Sequence, residues 1–247
     1  MILPPTHFEL VCDFHKRSGI DIPKTPQLDI FYTNPKLIKD SLRIIASECE
    51  EFIEATESNN NIEKLDATVD ISYVVLRMTA LIGSNMDELK YSKFEWCSVY
   101  SDIMGKKDTD EIKIKLQDIE KNIEEKDYNK LIHSLYNLNT ISEIIGRSLL
   151  KNYVLKMQLT NPNYTSYQAW DEAFIYVHEN NMTKFCKTEE EAIKTVKEKY
   201  FNDKIYTSVT YKKSIHNDED WIVYDKDQDK ILKSIEWKEV KLDKFFE

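Results

Sequence analysis

Glu48 and Glu51 stand three residues apart, and Asp66 and Asp70 four apart, within the stretch from Arg43 to Gly83. Both spacings place the paired side chains on one face of a helix. Four carboxylates on consecutive helices make a hard oxygen donor set of the kind that takes Mg²⁺ or Mn²⁺. Glu54 continues the first row more loosely. The second pair is flanked by Leu65, Val69 and Leu76 on one side and by Ala67, Ile71, Val74 and Met78 on the other, so its helix is read as buried nearly all round. An unpaired carboxylate there costs several kcal/mol. Arg77 alone cannot balance four acids, and a divalent cation can. For the Glu row taken by itself a solvated face is the plainer account, since exposed acids are the default. The burial cost weighs against that account for Asp66 and Asp70.

Two helices must hold these groups. In the first, Ile38, Leu42, Ile45, Cys49 and Phe52 recur at spacings of three and four and form an apolar stripe, with Glu48 and Glu51 along its edge. The polar turn from Glu57 to Asn61 separates it from the second. Only 4 glycines occur in 247 residues and 32% of residues are charged, a balance that suits a mainly helical protein and not a turn-rich β-sandwich. The net charge of −10 argues against general binding to nucleic acid or an anionic membrane, which needs a basic surface. No run of about 18 apolar residues appears, so no membrane span is expected, and MILPPTHFEL lacks the pattern of a signal peptide. Cys12, Cys49, Cys97 and Cys186 are scattered, which predicts free thiols in a reducing, cytoplasmic compartment.

The rest of the chain supplies the supports. Residues 6–17 read as a short amphipathic helix capped by Thr6, with His15 a packed or surface residue. Prolines at 23, 26 and 35 make an irregular connection. After Gly83 an aromatic run predicts a helix with Phe94, Trp96 and Cys97 buried. GKKDTD at 105–110 is a polar break, and two further helices span about 110–150. This second pair is a faint copy of the first. A shift of 66 residues brings Lys64-Leu65 onto Lys130-Leu131, with Glu51 on Gln117, Asp66 on Ile132 and Asp70 on Tyr136. Chance agreement between helical hairpins competes with the reading that the second pair completes a four-helix bundle around one site. A helix from Tyr167 ends in His178, Asn181 and Lys184, residues that are also ordinary at a helix C-terminus. Thr188 with Glu191 is a capping box. The tail changes to period two and predicts an antiparallel β-meander of two or three strands, with Lys230 and Lys233 near its last turn. A core of residues 1–200 and a β-rich extension of residues 201–247 are expected.

Taken together, Glu48-x-x-Glu51-x-x-Glu54-Ala55 and Leu65-Asp66-Ala67-x-x-Asp70-x-x-Tyr73-Val74 resemble the all-α nucleotide pyrophosphohydrolases. These are the MazG-like and phosphoribosyl-ATP pyrophosphohydrolase-like proteins, relatives of the dimeric dUTPases. Val11-x-x-Phe14-His15, Val177-His178-Glu179-x-Asn181-Met182-x-Lys184-Phe185 and Lys230-x-Leu232-Lys233 are similar to the phage and viral branch. The resemblance implies a mainly α fold with a four-helix-bundle core. It also implies Glu48, Glu51 and Asp70 as Mg²⁺ ligands, with Asn181, Lys184 and Lys230 or Lys233 on phosphate or sugar, beside His178. The commoner family pattern is Glu-x-x-Asp on the second helix. Here Ala67 stands three before Asp70, and Asp66 is the substitute ligand.

The chemistry expected is hydrolysis of a nucleoside triphosphate to monophosphate and pyrophosphate, with Glu51 or Glu54 as proton acceptor. No G-x-x-x-x-G-K-[ST] run is present, so the phosphates must be held by metal, lysine and asparagine. A narrow dUTPase or dCTPase is the enzymatic alternative. A catalytically weakened scaffold that binds a nucleotide or a protein is the alternative of another class, supported by Ala67. Phe14, Tyr73 and Trp96 are candidates for stacking on a base and equally for the core. If the second helix pair completes the bundle, a monomer carries a whole site; otherwise a homodimer is expected.

Overall fold

The computed structural model describes residues 4–91, 107–217, 219–227, 230–238 and 241–247. Phe94, Trp96 and Cys97, expected in a buried helix, lie outside the described residues. The chain forms two compact units, one of Met1–Glu9, Pro23–Phe174 and Lys241–Glu247, the other of Leu10–Ile22 and Ile175–Val240. Helix α1 (His7–Arg17) begins with the expected cap, the Thr6 hydroxyl accepting from Glu9 N–H at 3.2 Å and the Glu9 carboxylate from Thr6 N–H at 2.8 Å.

In the first unit a short α2 (Ile30–Thr33) lies within the connection read as irregular, and α3 (Pro35–Glu57) follows. Pro35 opens α3 and the Asn34 side chain accepts from Leu37 N–H at 3.1 Å. Asn59, at φ 54°, ends the turn, and Asn60 caps α4 (Asn61–Leu81) through Ile62 and Glu63 N–H. Helices α5 (Met86–Tyr91), α6 (Asp108–Glu124), α7 (Tyr128–Leu149) and α8 (Lys151–Gln158) complete the unit before α9 (Ser166–Met182). Helix α3 packs on α4, α4 on α7, α7 on α6 and α6 on α3, which closes a four-helix bundle. The fold is mainly α, as the composition predicts.

The core lies inside that ring, with Ile45 and Phe52 of α3, Val69 and Val75 of α4, Ile119 of α6 and Leu135 of α7 almost wholly buried. Full burial of one such side chain contributes about 1.5–3 kcal/mol. The Ser142 hydroxyl donates to the Thr68 carbonyl at 2.6 Å and ties α7 to α4, and Tyr128 OH donates to the Ile82 carbonyl at 2.9 Å. Two glycines are sterically required. A Cβ at Gly83, whose φ is 74°, would stand 2.0 Å from the Thr25 carbonyl oxygen, and one at Gly146 would stand 2.1 Å from the Trp170 ring.

The second unit contains the expected antiparallel sheet, β1 (Val209–Lys213), β2 (Trp221–Asp225) and β3 (Lys230–Ile231), in that order, with Tyr211 opposite Val223 and Tyr224 opposite Ile231. The first strand is shorter than the pattern from Ile205 predicts. The Asp203 carboxylate accepts from Ile205 and Tyr206 N–H at 2.7 and 2.9 Å, taking the donors a strand would use. Helix α10 (Glu189–Lys194), capped by Thr188, passes into a π-helical turn, Thr195–Lys199. Cys186, Ala192, Tyr200, Val223 and Leu232 form the core of this unit. Asp220, wholly buried, is neutralised by Lys187 at 2.8 Å and Arg17 at 3.6 Å. Among the described residues no helix is long and apolar enough to cross a membrane.

Candidate functional site

Arg77 donates to the Ser41 hydroxyl at 3.3 Å, a contact between α4 and α3. The helices are antiparallel, so seven residues on along α3 and seven back along α4, two turns of each, bring Glu48 and Asp70 to the same level. Asp66, Asp70 and Arg77 are the half-buried stripe of a helix whose other faces are buried. Glu48 is half-buried at the edge of α3, while Glu51 and Glu54 are exposed. The negative field is felt inside the bundle: burial first, then Glu48 and Glu50, push the Cys49 thiol up to about 12.

Glu48, Asp66 and Asp70 are carboxylates within reach of solvent, which fits a hard divalent cation by donor chemistry. As the side chains stand, among the described residues no three His, Cys, Asp or Glu are gathered closely enough to hold a metal ion. Tyr73, one turn from Asp70, is 5% exposed and stacks at 5.8 Å on Phe174, which stacks at 3.9 Å on His7. Phe14 is equally buried, 5.1 Å from Phe185. Both aromatic candidates are core, and Trp96 is outside the described residues.

The second unit holds the other candidates. His178 and Asn181 are buried, 6% and 8% exposed, and Lys184 is half-buried. The end of α9 is joined to the tail where Trp237 Nε1 donates to the Asn180 side chain at 3.0 Å and the Ser234 hydroxyl donates to the Thr183 carbonyl at 3.1 Å. Asn181, Lys184 and Lys233 are thereby brought to one region. Lys230 stands apart, its ammonium 5.7 Å from the Tyr206 ring centre. Lys233 caps the indole of Trp237 at 3.6 Å.

Residues 11–90 match the family model for phosphoribosyl-ATP pyrophosphohydrolase. The match covers Glu48, Glu51, Glu54, Asp66 and Asp70, and it agrees with the all-α pyrophosphohydrolase resemblance drawn from those residues. The family that this segment matches is, by its description, one of hydrolases acting on a phosphoric anhydride. In an alignment of 253 positions that covers 93% of this chain and 91% of the other, the protein is 29% identical to uncharacterized protein L479 of Acanthamoeba polyphaga mimivirus. No solved structure matches.

Two features of the arrangement escape sequence reasoning. Asn180 and Trp237 are joined across 57 residues, and no local pattern encodes that pairing. Lys199 approaches Ser234 because the chain leaves α10 through a π-helical turn, whereas the periodicity of EEEAIKTVKEKY predicts an unbroken helix.

Proposed function

We propose that the protein is a Mg²⁺-dependent pyrophosphohydrolase of nucleoside triphosphates, which splits a (d)NTP into (d)NMP and pyrophosphate by attack of water on the α-phosphorus. The observation that carries this reading is that residues 11–90, with Glu48 on α3 and Asp70 on α4, match the family model for phosphoribosyl-ATP pyrophosphohydrolase. Glu48, Asp66 and Asp70 would hold the cation, with Glu51 at the rim; Mn²⁺ is the alternative ion. When bound, the cation supplies charge neutralisation for the polyphosphate and acidifies water. Exposed Glu51 or Glu54 takes the proton from the attacking water. Asn181 and His178 contact sugar or phosphate, and Lys184 and Lys233, with Lys230, offset charge on the departing pyrophosphate.

The bundle closes within one chain, which supports a monomer with a complete set of acids; sedimentation equilibrium tests this against a homodimer. The test of the activity is pyrophosphate release with Mg²⁺ over a panel of NTPs and dNTPs, beside Asp70→Ala. Turnover that disappears in the variant is expected, and the panel separates a broad enzyme from a dUTPase or dCTPase. Ala67 and the ungathered carboxylates favour a second reading, a nucleotide-binding scaffold, which predicts binding with no turnover of any nucleotide.

A further inference from the structure

The tail of the second unit holds its backbone from several sides at one place. Tyr200 OH donates to the Lys233 carbonyl at 3.0 Å, Lys199 Nζ to the Ser234 carbonyl at 2.7 Å, and Ile235 N–H to the Thr195 hydroxyl at 3.0 Å. Three of these partners come from the π-helical turn and the residue after it. Such turns recur at functional sites. Trp237, fixed by Asn180, carries the Lys233 ammonium 3.6 Å from its ring centre and that of Lys199 at 5.8 Å. Two ammonium groups are therefore preorganised around a single indole. Among the described residues neither forms an ion pair with a carboxylate. Like charges held this close repel, and an anion is the natural complement.

We propose that Lys199 and Lys233, positioned by Trp237 and Ser234, form an anion site for the phosphate groups of a di- or triphosphate. Lys199 is the ammonium that neither the sequence motifs nor the family match assigns. It is solvent-accessible, so a ligand can reach it. Its pKa is lowered, by partial burial first and then by the charge of Lys233, against a smaller opposing effect from Cys186. An ammonium so placed gains from a bound anion, which removes the repulsion. The choice of a phosphate anion rests on the pyrophosphohydrolase reading; the existence of an anion site does not.

Titration calorimetry of the full chain with inorganic pyrophosphate, without Mg²⁺ and at low salt, tests the site apart from turnover. Lys199→Gln and Lys233→Gln should each weaken binding roughly tenfold, the loss of one charge-assisted contact. Lys199→Arg should restore most of the affinity. Thermal unfolding of Lys199→Gln confirms that the variant is folded. Sulfate at equal ionic strength separates a phosphate site from a general anion site, and pyrophosphate should bind more tightly. Wild-type affinity in folded Lys199→Gln, no pyrophosphate binding by the wild type, or equal binding of sulfate would overturn the proposal. If binding follows these expectations while the nucleotide panel shows no turnover, the site stands and the hydrolase reading falls.

Discussion

The α3–α4 hairpin and the α6–α7 hairpin are built alike and charged differently. Each turns through a left-handed residue, Asn59 at φ 54° and Lys126 at φ 55°, and each is followed by a capping side chain, Asn60 and Asp127. The backbone bonds of the two turns correspond one for one, Asn60 N–H to the Ala55 carbonyl and Asp127 N–H to the Asn122 carbonyl. The correspondence is a shift of 67 residues, one more than the shift of 66 drawn from Lys64-Leu65, because the turn and its cap set the register and the Lys-Leu pair does not. Ile45 then falls on Ile112 and Phe52 on Ile119, all buried. Glu48 falls on Lys115 and Glu51 on Asp118, which form an ion pair at 3.9 Å. Asp66 falls on His133, and Asp70 on Asn137. The second groove carries a Lys–Asp ion pair at the positions where the first carries Glu48 and Glu51, and neutral or basic side chains where the first carries Asp66 and Asp70. Shared packing with divergent charge separates what the bundle requires from what a site requires.

That contrast is sharpest in metal binding. Titration with Mn²⁺ should detect a site in the wild type that Asp66→Asn and Asp70→Asn weaken at least tenfold, on the order of losses from disturbed metal sites. His133→Ala and Asn137→Ala should leave it unchanged. Equal losses in both hairpins would break the contrast. Packing should show the opposite symmetry. Phe52→Ala is expected to cost about 3–5 kcal/mol and Ile119→Ala about 2–5 kcal/mol, read from denaturant midpoints. A marginal cost at Ile119 would mean that the second pair is an accessory.

Thiol chemistry probes the charged groove from inside. Cys49, pushed up to about 12, and Cys186, pushed up to about 11, should stay unmodified by iodoacetamide at pH 8 while half-buried Cys12 reacts. Peptide mapping by mass spectrometry reads the order, and early labelling of Cys49 would contradict its burial. The smallest expected difference lies in the caps. Bonds from Lys130, its backbone N–H first, lower the Asp127 pKa, while the Asn60 amide does not titrate. A lowered folded pKa contributes stability above the unfolded value of about 3.9, lost as pH falls through the folded value. Asp127→Asn should therefore flatten the acid limb of the stability profile slightly, and Asn60→Asp should steepen it.

The helical hairpins, the cap at Thr6 and the sheet were legible because periodicity and capping residues are local signals. Asp66 and Asp70 stood out for a local reason too, since they interrupt an otherwise apolar helix. The level match of Glu48 with Asp70 needed the Arg77–Ser41 contact, which depends on how two helices settle together. The exposure of Glu51 and Glu54 follows from the rotation of α3, which a stripe of apolar residues defines only to about one position. The cluster of Lys199, Lys233 and Trp237 was illegible because tertiary bonds across 35 or more residues create it.

The central claim, that charge and not fold distinguishes the first groove, is tested most directly by Mg²⁺-dependent pyrophosphate release from a nucleotide panel. Wild type, Asp70→Asn and Asn137→Asp should be compared under the same conditions. Turnover in the wild type, at least about a hundredfold lower in Asp70→Asn and unchanged in Asn137→Asp, is the predicted result. Turnover that survives Asp70→Asn, or a folded wild type that turns over no nucleotide, would contradict it.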